Sequence, residues 1–531
     1  MQYPILHTFC FLLSCVLYIA LGTKFLSDHQ RNAGNFDYEY DWTTGINNDN
    51  DDVEVRQAGA LWGISLIFHD MMIAAQAEGI LLLQKPGDNN DNNNNDNDSV
   101  AISVLTLIAA NIKKGISFFH IHSKVLLRHS SSGSNHSNGG LTQMRYITYP
   151  GTTTHHGQGT QALVCLSLID FLRALGSPSD ALAVGVTALE MKDMRSLLDE
   201  LLPFLVTQHS ALASLEDDHD RFMAWDDLVE KGGKENLSGI WYGTDKHNDD
   251  DVLVAWWKER QEKYKGFFHS TYNDFGKVSS GWLASSPYYD GESLLAVVKA
   301  AKYLGPAYAH LWPISAGTAR ALHQLHVVKA LKRNADSDDT KGVYQWLSMS
   351  LFELATVKFG KGHDTERFDL PMALEKTYNA QEFGTWLVDL ALWMVDVHGT
   401  LTRSKNTGYA YEGIVSAWAW ASHVVVESGM KEGITADTAR KLQCTIEKGL
   451  DKLISWQIGM GAEKSAHDVT WDGVKGLGGV QNSAHESPLR IDVTQHQMHA
   501  TILIRRLVYN QMDVPWPWEG MASASEGKVS E

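Results

Sequence analysis

Helices that are apolar on nearly every side recur along the chain, and each is opened by a turn of small or polar residues. These helices begin near Gln57, Gly159, Tyr288, Tyr409 and Asp492. Their wide apolar arcs predict helices that are buried on most sides. Between them lie segments such as 319–332 and 436–456, which carry one charged and one apolar face. These amphipathic segments predict helices that meet water on one side.

The alternation of buried and half-exposed helices predicts two concentric layers, because an inner helix packs on both sides and an outer helix on one. The buried helices start roughly 80 to 130 residues apart, which leaves room for about two helical hairpins per interval. The segment 343–359 supplies an intermediate inner helix. We therefore expect an all-α fold, a closed double ring of five to seven hairpins with six preferred. An open solenoid is the alternative, although its end helices would be polar caps.

The amino-terminal segment Ile5–Gly22 carries no charged side chain. Its length is near the lower limit for crossing a bilayer, and the small residues around Ala20 and Gly22 suit cleavage. We predict that residues 1–22 form a signal peptide or an uncleaved signal anchor, and an ordinary buried helix is the third alternative. On the first two interpretations the protein enters the secretory pathway, where it is luminal, anchored in the membrane or secreted.

Polar, Asn-rich and acidic stretches divide the remaining chain. We predict a disordered stem over 23–53, a helical domain over 54–512 with loop insertions at 87–99 and 130–140, and a disordered tail over 513–531. Glycosylation sequons, which predict a glycoprotein if the chain is secreted, begin at Asn97, Asn135 and Asn236.

Charge and cysteine content narrow the possible partners. The net charge is −18, with 45 Lys and Arg against 63 Asp and Glu, and this balance disfavours nucleic acid, which requires a basic surface. Cys10 and Cys15 lie in the amino-terminal segment, so Cys165 and Cys444 remain for the body of the protein. This number excludes a disulfide framework. We expect Cys165 and Cys444 to be buried free thiols rather than one bridge.

A resemblance to a known superfamily rests on three segments: YYDGESLLAVVKAAKYLG, NTGYAYEGIVSAWAW and RIDVTQHQMHATILIRR. They resemble the inner-helix starts of (α/α)6 toroid proteins, the six-hairpin glycosidase-like superfamily, over roughly residues 55 to 510. That group includes glycoside hydrolases, polysaccharide lyases and, more distantly, glucuronyl C5-epimerases. Terpenoid cyclases and protein prenyltransferases share a similar double ring. The chain lacks the acidic motifs of terpenoid enzymes and the zinc-ligand spacing of prenyltransferases.

In such rings the substrate funnel lies where the inner helices begin, so the resemblance implies a site built from the turn residues. The predicted catalytic residues are Asp290, Glu292, Glu412, Tyr289 and Tyr411. Tyrosine rings stack on sugar surfaces and carboxylates exchange protons, so this mixture suits a glycan. The preferred acid–base pair is Asp290 or Glu292 with Glu412. The alternative for each carboxylate is a cap on its own helix.

Further candidates for substrate binding lie at the same helix starts, and the full set comprises Tyr288, Tyr409, His155, His156, Arg490, Asp492 and His496. Arg490 could hold a substrate carboxylate, or it could instead close the ring through Asp492. His155 and His156 are adjacent and lack a partner one helical turn away, so we expect no metal. We also expect no cofactor.

Three functions remain open. The preferred hypothesis is a carbohydrate-active enzyme that takes a glycan substrate: a glycoside hydrolase, a polysaccharide lyase or a uronosyl epimerase. The second is a non-catalytic glycan-binding or scaffold protein. The third is a protein that handles isoprenoids, as terpenoid cyclases do. A toroid fold supports several chemistries, so the fold alone does not choose among them.

Overall fold

A computed structural model describes residues 4–48, 53–77, 96–129, 141–150, 155–209, 266–268, 270–276, 278–280, 285–356, 379–428, 434–460, 475–483, 486 and 488–509. The α-helices are α1 Pro4–Asp28, α2 Glu54–Ala77, α3 Asp96–Ile121, α4 Gln158–Leu175, α5 Pro178–Ala183, α6 Ala188–Thr207, α7 Tyr289–Tyr303, α8 Trp312–Leu322, α9 Val328–Arg333, α10 Asp338–Ala355, α11 Ala380–Asp396, α12 Gly408–Ser428, α13 Ala436–Ile454 and α14 Ile491–Leu503. Short strands are β1 Glu39–Asp41, β2 Ile46–Asn48, β3 Ser123–His129, β4 Leu141–Ile147, β5 His155–Gly157, β6 Thr271–Asn273, β7 Val278–Ser280 and β8 Pro488–Arg490.

The all-α class is confirmed, because the described residues are mostly helical and the strands are short. Helices α2, α4, α7, α12 and α14 begin within a few residues of the five predicted starts. Side-chain caps set several other starts. Thr187 and Glu190 form a reciprocal capping box before α6, and Ser337 and Thr435 cap α10 and α13, which satisfies amide groups that a helix leaves unpaired.

The most buried helices contact one another in a closed cycle. Helix α2 packs against α4, α4 against α7, α7 against α10, α10 against α12, α12 against α14, and α14 against α2. Their surfaces are buried on nearly every side, as α4 shows with polar Ser167 and Asp170 enclosed among apolar neighbours. This explains the wide apolar arcs of the sequence, since an element covered on both sides has no solvent face.

The remaining long helices pack against this cycle from outside. Helix α1 contacts α14 and α2, α3 contacts α2, α6 contacts α4, α8 contacts α7 and α10, α11 contacts α10 and α12, and α13 contacts α12. Helix α13 has the expected two faces, with Leu442, Ile446 and Leu450 buried and its charged side chains outward. The core therefore lies between two layers of helices.

The amino-terminal segment corrects one predicted boundary. Helix α1 continues past residue 22 to Asp28, and its second half packs into the body with Tyr18, Ile19, Phe25 and Leu26 buried. At Gly22 a Cβ would lie 2.0 Å from the Met498 sulfur, so only glycine allows this approach. The second half of α1 is thus a packed helix, the third alternative above, and cleavage near residue 22 remains a prediction.

The predicted stem is wrong as a disordered segment over its described part. Strand β1 pairs antiparallel with β2 and with β8, where Tyr40 lies opposite Leu489. The aromatic residues that alternate with polar ones here are buried: Phe36, Tyr38, Tyr40 and Trp42. Gln57 also bonds the amide and carbonyl groups of Phe36. The Asn-rich composition hid a period-two pattern that is typical of a half-buried strand.

Other boundary predictions fall partly outside the described residues. This applies to 130–140, to 87–95, to 510–531 and to the sequons at Asn135 and Asn236. Residues 96–99 begin α3, so that end of the predicted loop insertion is helical. Among the described cysteines, Cys165 is buried and free as expected, whereas Cys444 is free but exposed. The expectation of a buried Cys444 is therefore wrong.

Within the part of the chain that the structure describes, two helical stretches are long and apolar enough to cross a membrane, Glu54–Gln76 and Ala101–Ile121. The first is 83% buried inside the protein and the second 44%. A mostly buried core helix meets the same length and hydropathy criteria as a membrane span, so these stretches give only weak evidence for a membrane.

Candidate functional site

The inner helices place polar and aromatic side chains together near their amino ends, where the predicted funnel would lie. The residues concerned are Glu54, His156, Tyr289, Glu292, Gln345, Trp346, Glu412, Gln495, His496 and His499. They come from α2, from the strand that leads into α4, and from α7, α10, α12 and α14. The helix cycle therefore brings together residues that are up to several hundred positions apart in the sequence.

Two tryptophans meet inside the cycle. Trp62 of α2 and Trp346 of α10 have ring centroids 5.5 Å apart, although α2 and α10 are not neighbours in the cycle. His499 approaches Trp62 edge-on at 5.2 Å, and His496 approaches Trp346 at 6.2 Å. Such edge-to-face contacts are favourable for aromatic rings. These four rings, which we call the aromatic floor, fill the interior of the cycle.

Glu412 contacts both histidines of the aromatic floor. Its Oε1 lies 3.0 Å from His499 Nδ1 and 3.5 Å from His496 Nδ1. Gln345 Nε2 lies 2.7 Å from the same His496 nitrogen. The Oε2 atom of Glu412 is buried and has no hydrogen-bond partner within the described residues. Burial would raise the Glu412 pKa, but His499 and His496 outweigh it and lower that pKa below its usual value.

The hydrogen bond to Glu412 also orients His499. When Nδ1 of His499 donates to the carboxylate, its Nε2 is left as a proton acceptor. A carboxylate that fixes a histidine tautomer in this way is a common arrangement around general bases. Glu412 and His499 therefore form a pair suited to accepting a proton.

Glu292 is in a contrasting environment. Its side chain is 4% exposed, and its Oε2 has no hydrogen-bond partner in the described part of the chain. It packs against Gly159 of α4, where a Cβ would lie 1.9 Å from Oε2. Burial raises the Glu292 pKa to about 8, because the charged form loses hydration that no partner replaces. Glu292 is therefore protonated at neutral pH.

Asp290 does not join Glu292. Its Oδ1 accepts a hydrogen bond from the Phe268 amide at 2.7 Å and its Oδ2 accepts one from the Ser285 hydroxyl at 2.5 Å. Burial raises the Asp290 pKa to about 7. Residues two apart on a helix point to different sides. The Asp290 side chain accordingly binds Phe268 and Ser285, which precede α7. Both Asp290 oxygens thus have partners, and its place in the acid–base pair stays a prediction.

Tyr411 also points away from its neighbour Glu412. Its side chain is fully buried, and its ring occupies the space beside Gly449 of α13, where a Cβ would lie 2.0 Å from the ring. It therefore packs α12 against α13, and its catalytic role stays a prediction. Tyr289 remains near Glu292: its ring lies beside Gly157 and Gly159, and burial followed by the charge of Glu292 raises the Tyr289 pKa to about 12.

Of the two tyrosines predicted to bind substrate, Tyr288 is the accessible one, at 51% exposed. Tyr409 is half-buried, as Tyr289 is, and its hydroxyl lies 3.3 Å from His398 Nε2. An exposed ring such as that of Tyr288 can stack on a ligand, whereas the ring of Tyr411 is fully buried.

His156 is held by carboxylates on two sides. Its Nε2 lies 2.8 Å from Asp274 Oδ1 and its Nδ1 lies 3.7 Å from Glu54 Oε2. Burial lowers the His156 pKa, but its bonds to Glu54 and Asp274 outweigh burial and raise it overall. The neighbouring His155 is exposed on β5 and pairs across the strands with Asn273.

Arg490 and Asp492 bind each other. Arg490 Nε lies 3.0 Å from Asp492 Oδ1, and a second bond of 2.5 Å joins Nη2 to Oδ2. The guanidinium also lies over the Tyr38 ring, 5.5 Å from its centroid. This geometry matches the alternative in which Arg490 closes the ring through Asp492.

A cavity of about 100 Å³ lies on the far side of the aromatic floor, towards the carboxyl ends of the inner helices. Its wall includes Trp62, His69, Asp170, Arg173, Lys299, Tyr303, Glu353, His499 and Arg506. The sequence predicted a funnel at the amino ends only, so this space is a difference from that expectation. No cluster of His, Cys, Asp or Glu that could hold a metal occurs among the residues that the structure describes.

Several site residues were not among the predicted ones. The spacing of His496 and His499, three residues apart, indicated a shared helix face, but it did not identify Glu412 as the partner of His499. Trp62 and Trp346 lie inside apolar runs and carry no local signal for their meeting. Gln345 lies seven residues into α10, away from the turn signature.

No protein-family model, no curated protein and no solved structure matches the chain. Support for a function comes from the geometry of the residues described above.

Proposed function

We propose that the chain is an (α/α)6-type toroid in which α2, α4, α7, α10, α12 and α14 form the inner ring. The closed cycle of helix contacts supports this arrangement, as does the outer packing of α1, α3, α6, α8, α11 and α13. In it, α1 serves as an outer helix of the ring. A low-resolution envelope from small-angle scattering would test the arrangement, since an open solenoid is longer than a closed ring of the same mass.

We further propose that the protein is a carbohydrate-active enzyme of the secretory pathway that works by acid–base chemistry. The observation that supports it is a pair of buried glutamates whose pKa values are shifted in opposite directions. Glu292, with a pKa of about 8, holds a proton at neutral pH, whereas the Glu412 pKa lies below its usual value. Environments that push two carboxyl pKa values apart are typical of acid and base assignments.

In this proposal Glu292 donates a proton to the leaving oxygen of a glycan in a hydrolase or lyase. In an epimerase it donates the proton to the sugar carbon whose configuration is inverted. Glu412 and His499 accept the proton that is removed from water or from the sugar carbon. The exposed ring of Tyr288 stacks on a sugar face, and the half-buried ring of Tyr409 contacts the same substrate. A hydrolase, a lyase and an epimerase all need such a donor and acceptor, so the choice among them depends on the substrate.

Glutamine substitutions test the proposal on a panel of neutral oligosaccharides and uronic-acid glycans. We expect Glu292→Gln and Glu412→Gln each to lower kcat/KM by at least ~100-fold, the usual range for loss of a general acid or base. Asp437→Asn is the matched control, because Asp437 has an 85% exposed side chain on α13. Thermal melts establish that each variant is folded. Full turnover in both glutamine variants would exclude the proposed roles.

The pH profile gives an independent test. The rate should fall as pH rises through about 8, where Glu292 loses its proton. It should also fall at acid pH below the usual range for a glutamate, where Glu412 becomes protonated. A rate that is flat up to pH 9 would contradict the role of Glu292.

A non-catalytic glycan-binding protein is the second candidate, and the exposure of Tyr288 supports it. Saturable glycan binding without turnover, lost in Tyr288→Ala but kept in Glu412→Gln, would favour this candidate. An isoprenoid-handling protein receives little support, because charged residues such as Asp170, Lys299 and Glu353 line the interior cavity, where isoprenoid chains require apolar walls.

A further inference from the structure

The cavity beyond the aromatic floor is surrounded by more cations than carboxylates. The charged side chains in its wall are Asp170, Arg173, Lys299, Glu353 and Arg506. Three of these are cations and two are carboxylates, so within this described set one positive charge is in excess. A surplus of charge in a largely buried space attracts a counter-ion strongly, since water screens it poorly.

The excess has a structural origin, because two carboxylates are each shared by two cations. Lys299 Nζ lies 2.7 and 2.6 Å from the two oxygens of Asp170, and Arg173 lies 3.0 Å from the same group. Asp170 also accepts a hydrogen bond from Trp62 Nε1 at 2.8 Å. Its oxygens are therefore fully used, and they cannot neutralise both cations.

Arg506 shares Asp70 with Arg505, but its own contact with the Asp70 carboxylate is longer. Arg505 makes two hydrogen bonds to Asp70, at 3.1 and 2.5 Å. Arg506 comes only within 3.6 Å of one Asp70 oxygen. It makes no hydrogen bond to another residue that the structure describes, although a guanidinium carries five N–H donors. A mostly buried arginine in the cavity wall thus has donors available for a ligand.

His69 adds a second available group. It is 7% exposed, lines the same cavity, and makes no hydrogen bond to the described part of the chain. Burial, followed by the charges of Arg173 and Arg506, holds the His69 pKa well below its usual range. A neutral imidazole has one N–H donor, and it adds no positive charge of its own. Its position places a neutral donor next to the unused arginine donors.

We propose that this cavity binds a small tetrahedral oxyanion, either inorganic phosphate or the phosphate group of a small monoester. Arg506 and Arg173 supply the charge and forked donors that suit phosphate oxygens, and His69 supplies a further donor. The cavity of about 100 Å³ is several times the roughly 10–15 Å³ that one water needs, which leaves room for the five heavy atoms of a phosphate. The inference does not depend on the glycan proposal, since it uses neither Glu292 nor Glu412.

Isothermal titration of the full chain with inorganic phosphate, at constant ionic strength in chloride, tests the site. We expect saturable binding of one phosphate per chain, with sulfate as a competitor. Methyl phosphate distinguishes the two sources: if it binds as tightly as phosphate, the site accepts a monoester, and if it does not, the site holds the free ion. Absence of saturable phosphate binding by the parent protein would overturn the proposal without any variant.

Substitutions locate the site. Arg506→Gln should weaken phosphate binding at least 10-fold, and His69→Ala should weaken it by a smaller factor. Arg440→Gln is the matched control, since Arg440 has a 71% exposed side chain on α13, and its binding should equal that of the parent. Unchanged affinity in a folded Arg506→Gln variant would mean that phosphate binds elsewhere. If Arg506→Gln does not fold, unchanged affinity in a folded His69→Ala variant would lead to the same conclusion.

Discussion

The two ends of the inner helices satisfy their buried charges in different ways. At the amino ends, Glu292 and Glu412 each keep one buried carboxyl oxygen without a hydrogen-bond partner among the described residues. At the carboxyl ends, Asp170 and Glu353 are bonded to lysines and aromatic donors. Unpaired buried polar groups cost stability. For these carboxyl groups the cost remains at the amino ends, whereas ion pairs relieve it at the carboxyl ends.

Removal of the amino-terminal helix is expected to have the largest effect, because α1 covers the carboxyl half of α14. Deletion of residues 1–22 removes the buried side chains of Cys15, Tyr18 and Ile19. The loss of several large buried side chains costs roughly 5 kcal/mol or more, which is comparable to the whole stability of a domain. We expect the truncated protein to be unfolded or aggregated by circular dichroism and gel filtration.

This deletion also decides between the interpretations of the amino terminus. A truncated chain that is as stable as the full one would mean that α1 is dispensable, as a cleaved signal peptide must be. Peptide mapping of the protein secreted by a eukaryotic host would then be expected to begin near residue 23.

Breaking the ion pair at the carboxyl end should have the next largest effect. Lys299→Met leaves Asp170, whose side chain is 1% exposed, with only Arg173 and Trp62 as partners. Removing one partner of a buried pair typically costs about 3–5 kcal/mol, and the remaining Arg173 places this variant near 3 kcal/mol. Urea denaturation measures the free energy of unfolding.

A surface pair supplies the control for this prediction. Lys341 and Asp338 are also bridged, but the Asp338 side chain is 97% exposed. Lys341→Met should cost less than about 0.5 kcal/mol. The double variant Asp170→Asn with Lys299→Met should recover part of the lost stability, because the buried carboxylate that lost its lysine is then neutral. Equal losses in free energy of unfolding for Lys299→Met and Lys341→Met would show that the buried ion pair does not stabilise the carboxyl ends of the inner helices.

Glu292 should produce a smaller effect at each step of pH, because its contribution is spread over several pH units. Its pKa is raised from 4.5 to about 8 in the folded protein, so the folded state binds the extra proton between these values. Stability should therefore fall as pH rises from about 4.5 to 8, by up to about 1.4 kcal/mol per pH unit from this group. Glu292→Gln should remove this slope, so its stability relative to the parent should improve towards pH 8.

Melting temperatures of the parent and Glu292→Gln proteins across pH 4 to 9 measure the difference. Asp437→Asn, at an 85% exposed side chain on α13, serves as the control and should follow the parent. Parallel curves for Glu292→Gln and the parent would show that folding does not raise the Glu292 pKa.

Much of the helical architecture could be predicted from the sequence, because a helix buried on both sides leaves a wide apolar arc that is visible without any partner. The starts of α4, α7 and α12 followed from that arc and from their turns. The ordered segment around β1 was missed, since composition outweighed the alternation of Phe36 and Tyr38 with polar residues.

The site was less predictable, for a geometric reason. The sequence placed Asp290, Glu292, Tyr411 and Glu412 at helix starts, but neighbouring positions on a helix point in different directions. Which of them faces the interior depends on how each helix is rotated against its neighbours. The contact between Trp62 and Trp346 depends on ring closure, which no local pattern reports.

Infrared difference spectroscopy of the carboxyl groups at pH 7 tests the central claim most directly, namely that Glu292 is protonated while Glu412 is ionised. The spectrum of the parent minus Glu292→Gln should contain a protonated carboxyl band that disappears with a midpoint near pH 8. The corresponding difference for Glu412→Gln should contain only a carboxylate band. A carboxylate band for both residues at pH 7 would contradict the account.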